Sequence, residues 1–208
     1  LRPASELEFE KAARGFSYPA VVDEYPWGTE QIVGDGYMIY YNVGSGIDHE
    51  IAGGYSSNIL TGNAIYSSTL ANPWSLRVGI FATSTSSRAQ ANASATGVLD
   101  LAGNVAERTA DTKFSSGLAW FNEHGDGILH TNGLANQQWV GFNPIKNTNV
   151  ENLSWTSGLR GGGILDNAAS LRISDRSRAT SDNTRTVEAG FRAALSVSCS
   201  LPTLGSYS

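Results

Sequence analysis

The sequence is short of cysteine, charge and long apolar runs, and each shortage excludes something. One cysteine, Cys199, in 208 residues rules out an internal disulfide and a multi-cysteine metal centre. No run of about 18 apolar residues occurs, so no membrane-spanning helix is expected. No basic stretch followed by an apolar one opens the chain, so no signal peptide is visible. Charged residues make up only 16%, with 14 Lys and Arg against 19 Asp and Glu. The resulting net charge of −5 argues against a nucleic-acid binder acting through bulk charge. What is present points the other way from disorder: 40% hydrophobic residues, 10% aromatic, enough to bury a core. The 23 glycines predict many turns and long irregular loops rather than a helical bundle. The length suits one domain over 1–208, and no linker, repeat or charge block divides it.

The opening residues predict a short helix over about 5–14. Ser5 and Glu8 have the spacing of a capping box, and Gly15 is a natural stop. Acidic Glu6 and Glu8 start the helix, and basic Lys11 and Arg14 end it, in accord with its dipole. Phe9, Ala12 and Ala13 form the apolar stripe, with Leu7 off it. Tyr37–Tyr41, Leu76–Ala82 and a final stretch Gly190–Val197 read as strands. The stretch 84–94 reads as loop, and 115–150 as long loops pinned by single aromatics such as Trp120, Phe121, Trp139 and Phe142. The class is α+β.

Five segments, in order, carry a resemblance. Leu1–Gly15 resembles the "R-L-P-T-E-x-E-W-E-x-A-A-R-G" helix of formylglycine-generating enzymes. Tyr25-Pro26-Trp27-Gly28 follows where that family has "Y-P-W-G". Gly97–Thr109 is similar to its "G-L-x-D-M-x-G-N-V-W-E-W-T", Leu159–Gly163 to its "R-G-G-S-W", and Gly190-Phe191-Arg192 to its closing "G-F-R". The resemblance implies a C-type-lectin-like fold of the formylglycine-generating subclass. It also implies that the family's upstream part is absent or truncated here, because the chain starts inside the first motif.

The departures bear on function. The family's enzymes work through cysteine thiolates in the C-terminal part of the domain, yet no cysteine lies between Arg160 and Arg192. Cys199 falls in a Ser-rich tail. Three family tryptophans are replaced by Ala106, Arg108 and Ile164. Oxidase activity is therefore not expected, and the chain reads as no enzyme.

Residues 160–192 resemble instead the variable region of proteins diversified by diversity-generating retroelements, in which a fixed frame surrounds substitutable positions. The positions so assigned are Leu165, Asp166, Asn167, Ser170, Ile173, Asp175, Ser177, Arg178, Ala179, Asn183, Arg185, Thr186 and Val187. They mix apolar, acidic, basic and small residues without period, as a binding surface with no fixed chemistry would. Leu165, Ile173, Ser177, Arg178, Arg185 and Val187 are expected to be exposed. In the frame, Gly161 and Gly162 permit a tight turn. Arg160, Arg172, Arg176 and Arg192 are expected to clamp loop carbonyls, and Phe191 to anchor the last strand in the core.

Relatives in this resemblance bind calcium through a side-chain oxygen, two backbone carbonyls and a glutamate, which implies Asp100, Gly103, Val105 and Glu107 here. Calcium takes hard oxygen ligands of this kind. A transition-metal cluster of Glu123, His124, Asp126 and His130 is a weaker reading, and His49 reads as solvated surface. No redox or organic cofactor is implied. The function expected is a display protein recognising a macromolecular surface, protein in the first place, at a cell or virion surface. Neither nucleic acid nor direct membrane insertion is expected. The alternative is a catalytic or degenerate formylglycine-generating relative of the sulfatase-modifying type.

Overall fold

The computed structural model describes residues 2–34, 38–42, 47–51, 56–67, 75–113, 119–120, 142–143, 148–149, 155–180 and 188–195. In chain order, β1 (Arg2–Pro3) leads into α1 (Glu6–Arg14), followed by β2 (Ile32–Gly34), β3 (Met38–Asn42), β4 (Ile47–Ile51) and β5 (Gly62–Ala64). Next come β6 (Ala106–Lys113), β7 (Ala119–Trp120), β8 (Phe142–Asn143), β9 (Thr148–Asn149) and β10 (Trp155–Arg160). After a 3₁₀ turn at Ala168–Leu171, β11 (Ala179–Thr180), β12 (Ala189–Phe191) and β13 (Ala193–Ala194) close the order. Among the described residues, one α-helix stands with short strands, a mixed α+β arrangement.

The helix forms where its local chemistry dictates. The Ser5 hydroxyl accepts from the Glu8 amide (3.2 Å) and the Glu8 carboxylate accepts from the Ser5 amide (2.9 Å), so the box closes in both directions. Gly15, at φ +81°, ends the helix and donates to the Lys11 carbonyl at 2.9 Å. Phe9 and Ala13 are buried, Ala12 is half-buried against them, and Leu7 is half-exposed, as the stripe requires.

The main sheet has the order β11-β10-β6-β12, with β7 also on β6. The β6–β10 pair is antiparallel, with Arg160 opposite Glu107, whereas β12 runs parallel to β6, with Gly190 opposite Glu107. Separately, β1 pairs with β13 antiparallel, Arg2 opposite Ala194. The smaller pairs are β2–β5, β3–β4 and β8–β9.

Three apolar clusters hold these pieces. Tyr25 and Trp27 stack at 4.9 Å and pack with Ala64, Ala89, Ala102 and Leu171. Gly62 must be glycine, because a Cβ there would run into the Trp27 indole. Ile65, Leu76, Ile80, Phe81 and Ile164 form the second cluster. Phe9, Ala13, Leu101 and Ile173 form the third, which fastens α1 to the chain after β10.

Three expectations are corrected here. Leu76–Ala82 is no strand but irregular chain with one turn: Gly79 takes φ +80° and its carbonyl accepts from the Ala82 amide at 3.0 Å. Leu76 is held instead by the Asn104 side chain, whose Oδ1 accepts from the Leu76 amide and whose Nδ2 donates to the Leu76 carbonyl, both at 2.8 Å. The last strand is split: β12 pairs with β6 and β13 with β1, and Arg192 lies between them. Phe191 is 65% exposed rather than a core anchor, because Gly190 takes the inward position against Val105 and alternation turns its neighbour outward. Tyr37, Glu123, His124, Asp126, His130, Cys199 and the aromatics Phe121 and Trp139 lie outside the described residues.

Candidate functional site

The segment after β10 begins with two left-handed glycines, Gly161 at φ +79° and Gly162 at φ +67°. A side chain on Gly161 would collide with the Leu101 carbonyl and the Glu107 carboxylate, so the tight turn expected there is also a close approach. From this turn the chain is clamped by side chains that point inward. Arg160 is fully buried. It donates to the Glu6 carboxylate at 2.5 Å, to Glu10 at 3.3 Å, and to the Ile173 carbonyl. The Thr109 hydroxyl also donates to Glu6, and Arg176 reaches both Glu10 and Glu6. Leu171 and Ile173 are buried, and the Ile173 amide donates to the Glu24 carbonyl at 3.0 Å.

The positions assigned as variable divide accordingly. Leu165 is 44% exposed, and Asn167 and Ser177 are exposed. Asn167 caps the 3₁₀ turn, its Oδ1 accepting from the Ser170 amide at 3.2 Å. Asp166, Ser170, Asp175 and Arg178 are half-buried. Asp166 accepts from the Gly163 amide at 2.7 Å and pairs with Arg178, which also reaches Glu188 at 3.4 Å. Asp175 accepts from the Ser177 amide at 3.4 Å. Ala179 opens β11. Asn183, Arg185, Thr186 and Val187 lie outside the described residues.

Ile173 is a correction: it is 1% exposed, not a surface position. Its side chain fills the space between α1 and Leu101, while its amide and carbonyl are both taken by partners across the fold. Arg172 is another. Among the described residues it clamps no carbonyl but pairs with Asp23 at 2.8 Å near the surface. Arg176 likewise meets carboxylates rather than carbonyls. Arg160 and Arg192 do clamp carbonyls, those of Ile173 and Asp100.

The sequence reading took Glu6 only as a dipole partner. Its position three residues before Phe9 and seven before Ala13 places it on the buried stripe, and that spacing is the signal for an internal ion pair. Ala169 and Ser174, in the same segment, are exposed as well.

A second constellation lies beside β6 and β12. Asp100 and Glu107 are 3% and 5% exposed. Asp100, at φ +53°, accepts from the Gly79 amide at 2.5 Å through Oδ2, and among the described residues its Oδ1 has no hydrogen-bond partner. Glu107 accepts from Arg192 Nε at 2.7 Å through Oε1, and among the described residues its Oε2 has none. Arg192 also donates to the Asp100 carbonyl at 2.8 Å. Burial raises Asp100 to about 6, against the Gly79 hydrogen bond and the Arg192 charge. Burial raises Glu107 to about 7, against Arg192, with the Asp100 charge adding to the rise. One guanidinium thus bonds the Glu107 carboxylate and the Asp100 main-chain carbonyl, and its charge acts on both buried carboxyls. Gly103, at φ +79°, and Val105 lie on the bend between them, and Gly103 donates to the Gly161 carbonyl at 2.8 Å.

Among the described residues, no helix is long and apolar enough to cross a membrane, and no three His, Cys, Asp or Glu side chains group as a metal cluster. Comparison with curated proteins and with solved structures returns no match. The family model of the sulfatase-modifying factor enzyme 1-like domain matches residues 2–197, which takes in the helix, the Gly161–Gly162 turn and the Asp100–Glu107 bend. By that match the chain belongs to the sulfatase-modifying factor enzyme 1-like family.

Proposed function

We propose that this family member is not an enzyme but a ligand-binding display protein, with a site in residues 160–192 diversified by a retroelement. It recognises a protein or another cell-surface ligand, from a cell or virion surface. The observation that carries this reading is the division of labour in 163–178. Backbone position is set by Arg160, Leu171 and Ile173 from within, while Leu165, Asn167 and Ser177 face outward and hold no part of the core. A loop clamped from inside tolerates exchange of its outward side chains. The absence of cysteine between Arg160 and Arg192 supports the same reading, since the thiolate chemistry of the enzymes has no agent there. The C-type-lectin-like form of the fold belongs to this reading too, supported by the single helix, the long loops and the closure of the described chain through β1 and β13.

Calcium is proposed as a structural ion, held by Asp100 and Glu107 with the carbonyls of Gly103 and Val105. The unpartnered Asp100 Oδ1 and Glu107 Oε2 fit it: two buried acceptors without donors are what a hard cation satisfies. The ion would fix the bend ahead of β6 and take no part in chemistry.

The family match itself favours the second reading, a sulfatase-modifying relative. Purified protein and a sulfatase-type cysteine peptide separate the two by mass spectrometry. Unchanged peptide is expected, and conversion to formylglycine sinks the display reading. In the genome, the display reading requires a near-copy of codons 160–192, differing at adenines, beside a reverse-transcriptase gene.

A further inference from the structure

The stretch from Gly15 to Val22, just after α1, contains no charged residue. Phe16, Tyr18, Val21 and Val22 are 79%, 65%, 49% and 80% exposed. Single exposed apolar residues need no explanation, but four in seven consecutive positions form a patch of the kind that marks contact with another molecule. Beside them lies a cavity of about 210 Å³, walled by Tyr18, Pro19, Val21 and Pro26, with Arg14, Glu24 and Arg88 as its polar lining. A cavity of ~150 Å³ already holds a benzene ring, so this one admits an aromatic side chain. Its charge is unbalanced. Arg14 is shared between Glu10 and Glu24. Arg88 has no carboxylate partner among the described residues and donates to the Trp27 carbonyl at 3.0 Å.

We infer that the Phe16–Val22 patch and its cavity dock a protein segment that inserts one aromatic side chain flanked by a carboxylate. The ring enters between Tyr18, Pro19, Val21 and Pro26, and the carboxylate meets Arg88. A guanidinium at the rim of an apolar pocket discriminates in favour of such a pair. The inference rests on the display reading in one respect: it makes the patch the invariant half of the binding face. Asp23, which follows Val22, is bridged to Arg172 at 2.8 Å, and Glu24 accepts from the Ile173 amide at 3.0 Å, so the patch is fastened directly to the diversified segment. The fixed half supplies affinity common to all variants, and the exchangeable half supplies selectivity.

The test is a random peptide library displayed on phage and panned on the full chain, with enriched peptides synthesised and titrated by fluorescence anisotropy. Enriched peptides are expected to share an aromatic residue beside Asp or Glu. Replacing the aromatic by Ala, or the carboxylate by its amide, weakens binding about tenfold or more, as loss of a buried aromatic anchor does. Val21→Asp and Tyr18→Ser weaken it as much, without lowering the melting temperature. Failure to enrich any peptide, or binding indifferent to Val21→Asp and Tyr18→Ser, overturns the inference. Sensitivity to Leu165→Asp and Ser177→Asp alone removes the docking patch and leaves the display reading standing. Sensitivity to Val21→Asp with indifference to Leu165→Asp and Ser177→Asp upholds the patch and counts against the display reading.

Discussion

Replacing Arg160 by Met should unfasten the segment after β10 from the helix, and the size of the effect follows from what the guanidinium holds. Its removal takes from the buried Glu6 carboxylate the guanidinium it meets at 2.5 Å, while the Thr109 hydroxyl and a 3.5 Å contact to Arg176 stay among its contacts. A buried charge deprived of its partner costs about 3–5 kcal/mol. The Ile173 carbonyl loses a donor at the same stroke, worth about 1–3 kcal/mol when no other donor replaces it. These terms share one site and do not add, so a loss of about 3–5 kcal/mol is the expected result in urea titration. The double variant Glu6→Gln with Arg160→Met should recover at least half of it, because a neutral amide tolerates burial better than a lone carboxylate. An Arg160→Met loss below ~1 kcal/mol, or no recovery in the double variant, would refute the account of Arg160 as the clamp of the segment.

Ile173→Ala should cost about 2–5 kcal/mol, the range for a buried aliphatic truncated to Ala, while Leu165→Ala stays within ~0.5 kcal/mol in the same melts. Equal losses would erase the distinction between clamp and display positions. Asp100 and Glu107 make stability fall as pH rises: both bind protons more tightly folded than unfolded, so the folded state gains from acidity between the ordinary carboxylate range and about 7. In the presence of chelator, with no calcium to hold the carboxylates ionised, stability should therefore decline from about pH 4 to 7, by an amount on the order of 3 kcal/mol per group at most, and Asp100→Asn with Glu107→Gln should flatten the slope. Calcium should raise the melting temperature and chelator lower it, by mass action on the folded state, and the pair Asp100→Ala and Glu107→Ala should abolish the response. A shift that survives both changes places the ion elsewhere.

What was legible in the sequence was what short-range chemistry decides. The capping box, the Phe9–Ala13 stripe and the Gly15 stop all lie within eleven residues, and α1 follows from them. The Gly161–Gly162 turn was legible because only glycine adopts its dihedrals at no cost. Burial set by distant partners was not. Ile173 looks like any apolar loop residue until Phe9, Ala13 and Leu101 are known to meet there. Leu76–Ala82 has the composition of a strand, but the Asn104 amide takes the backbone of Leu76 and Gly79 turns the chain away. Phe191 was misplaced for want of register: with Gly190 opposite Glu107, the aromatic falls on the outer face. The pairing of Glu6 with Arg160 joins residues 154 positions apart, beyond the reach of any motif.

That separation has a consequence for the order in which the molecule assembles. A nine-residue helix is marginal by itself in water, so α1 has little reason to persist while the rest of the chain is missing. Its buried carboxylate meets the Arg160 guanidinium only once Arg160 has been made, and Arg160 in turn finishes its bonds only when Ile173 has followed. On the ribosome, therefore, this fastening of the first helix waits for residues made 154 positions later. Contacts of such long sequence separation slow folding. Substitutions at outward positions such as Leu165 and Ser177 leave this closing step alone, so a chain altered only there should fold at the rate of its parent.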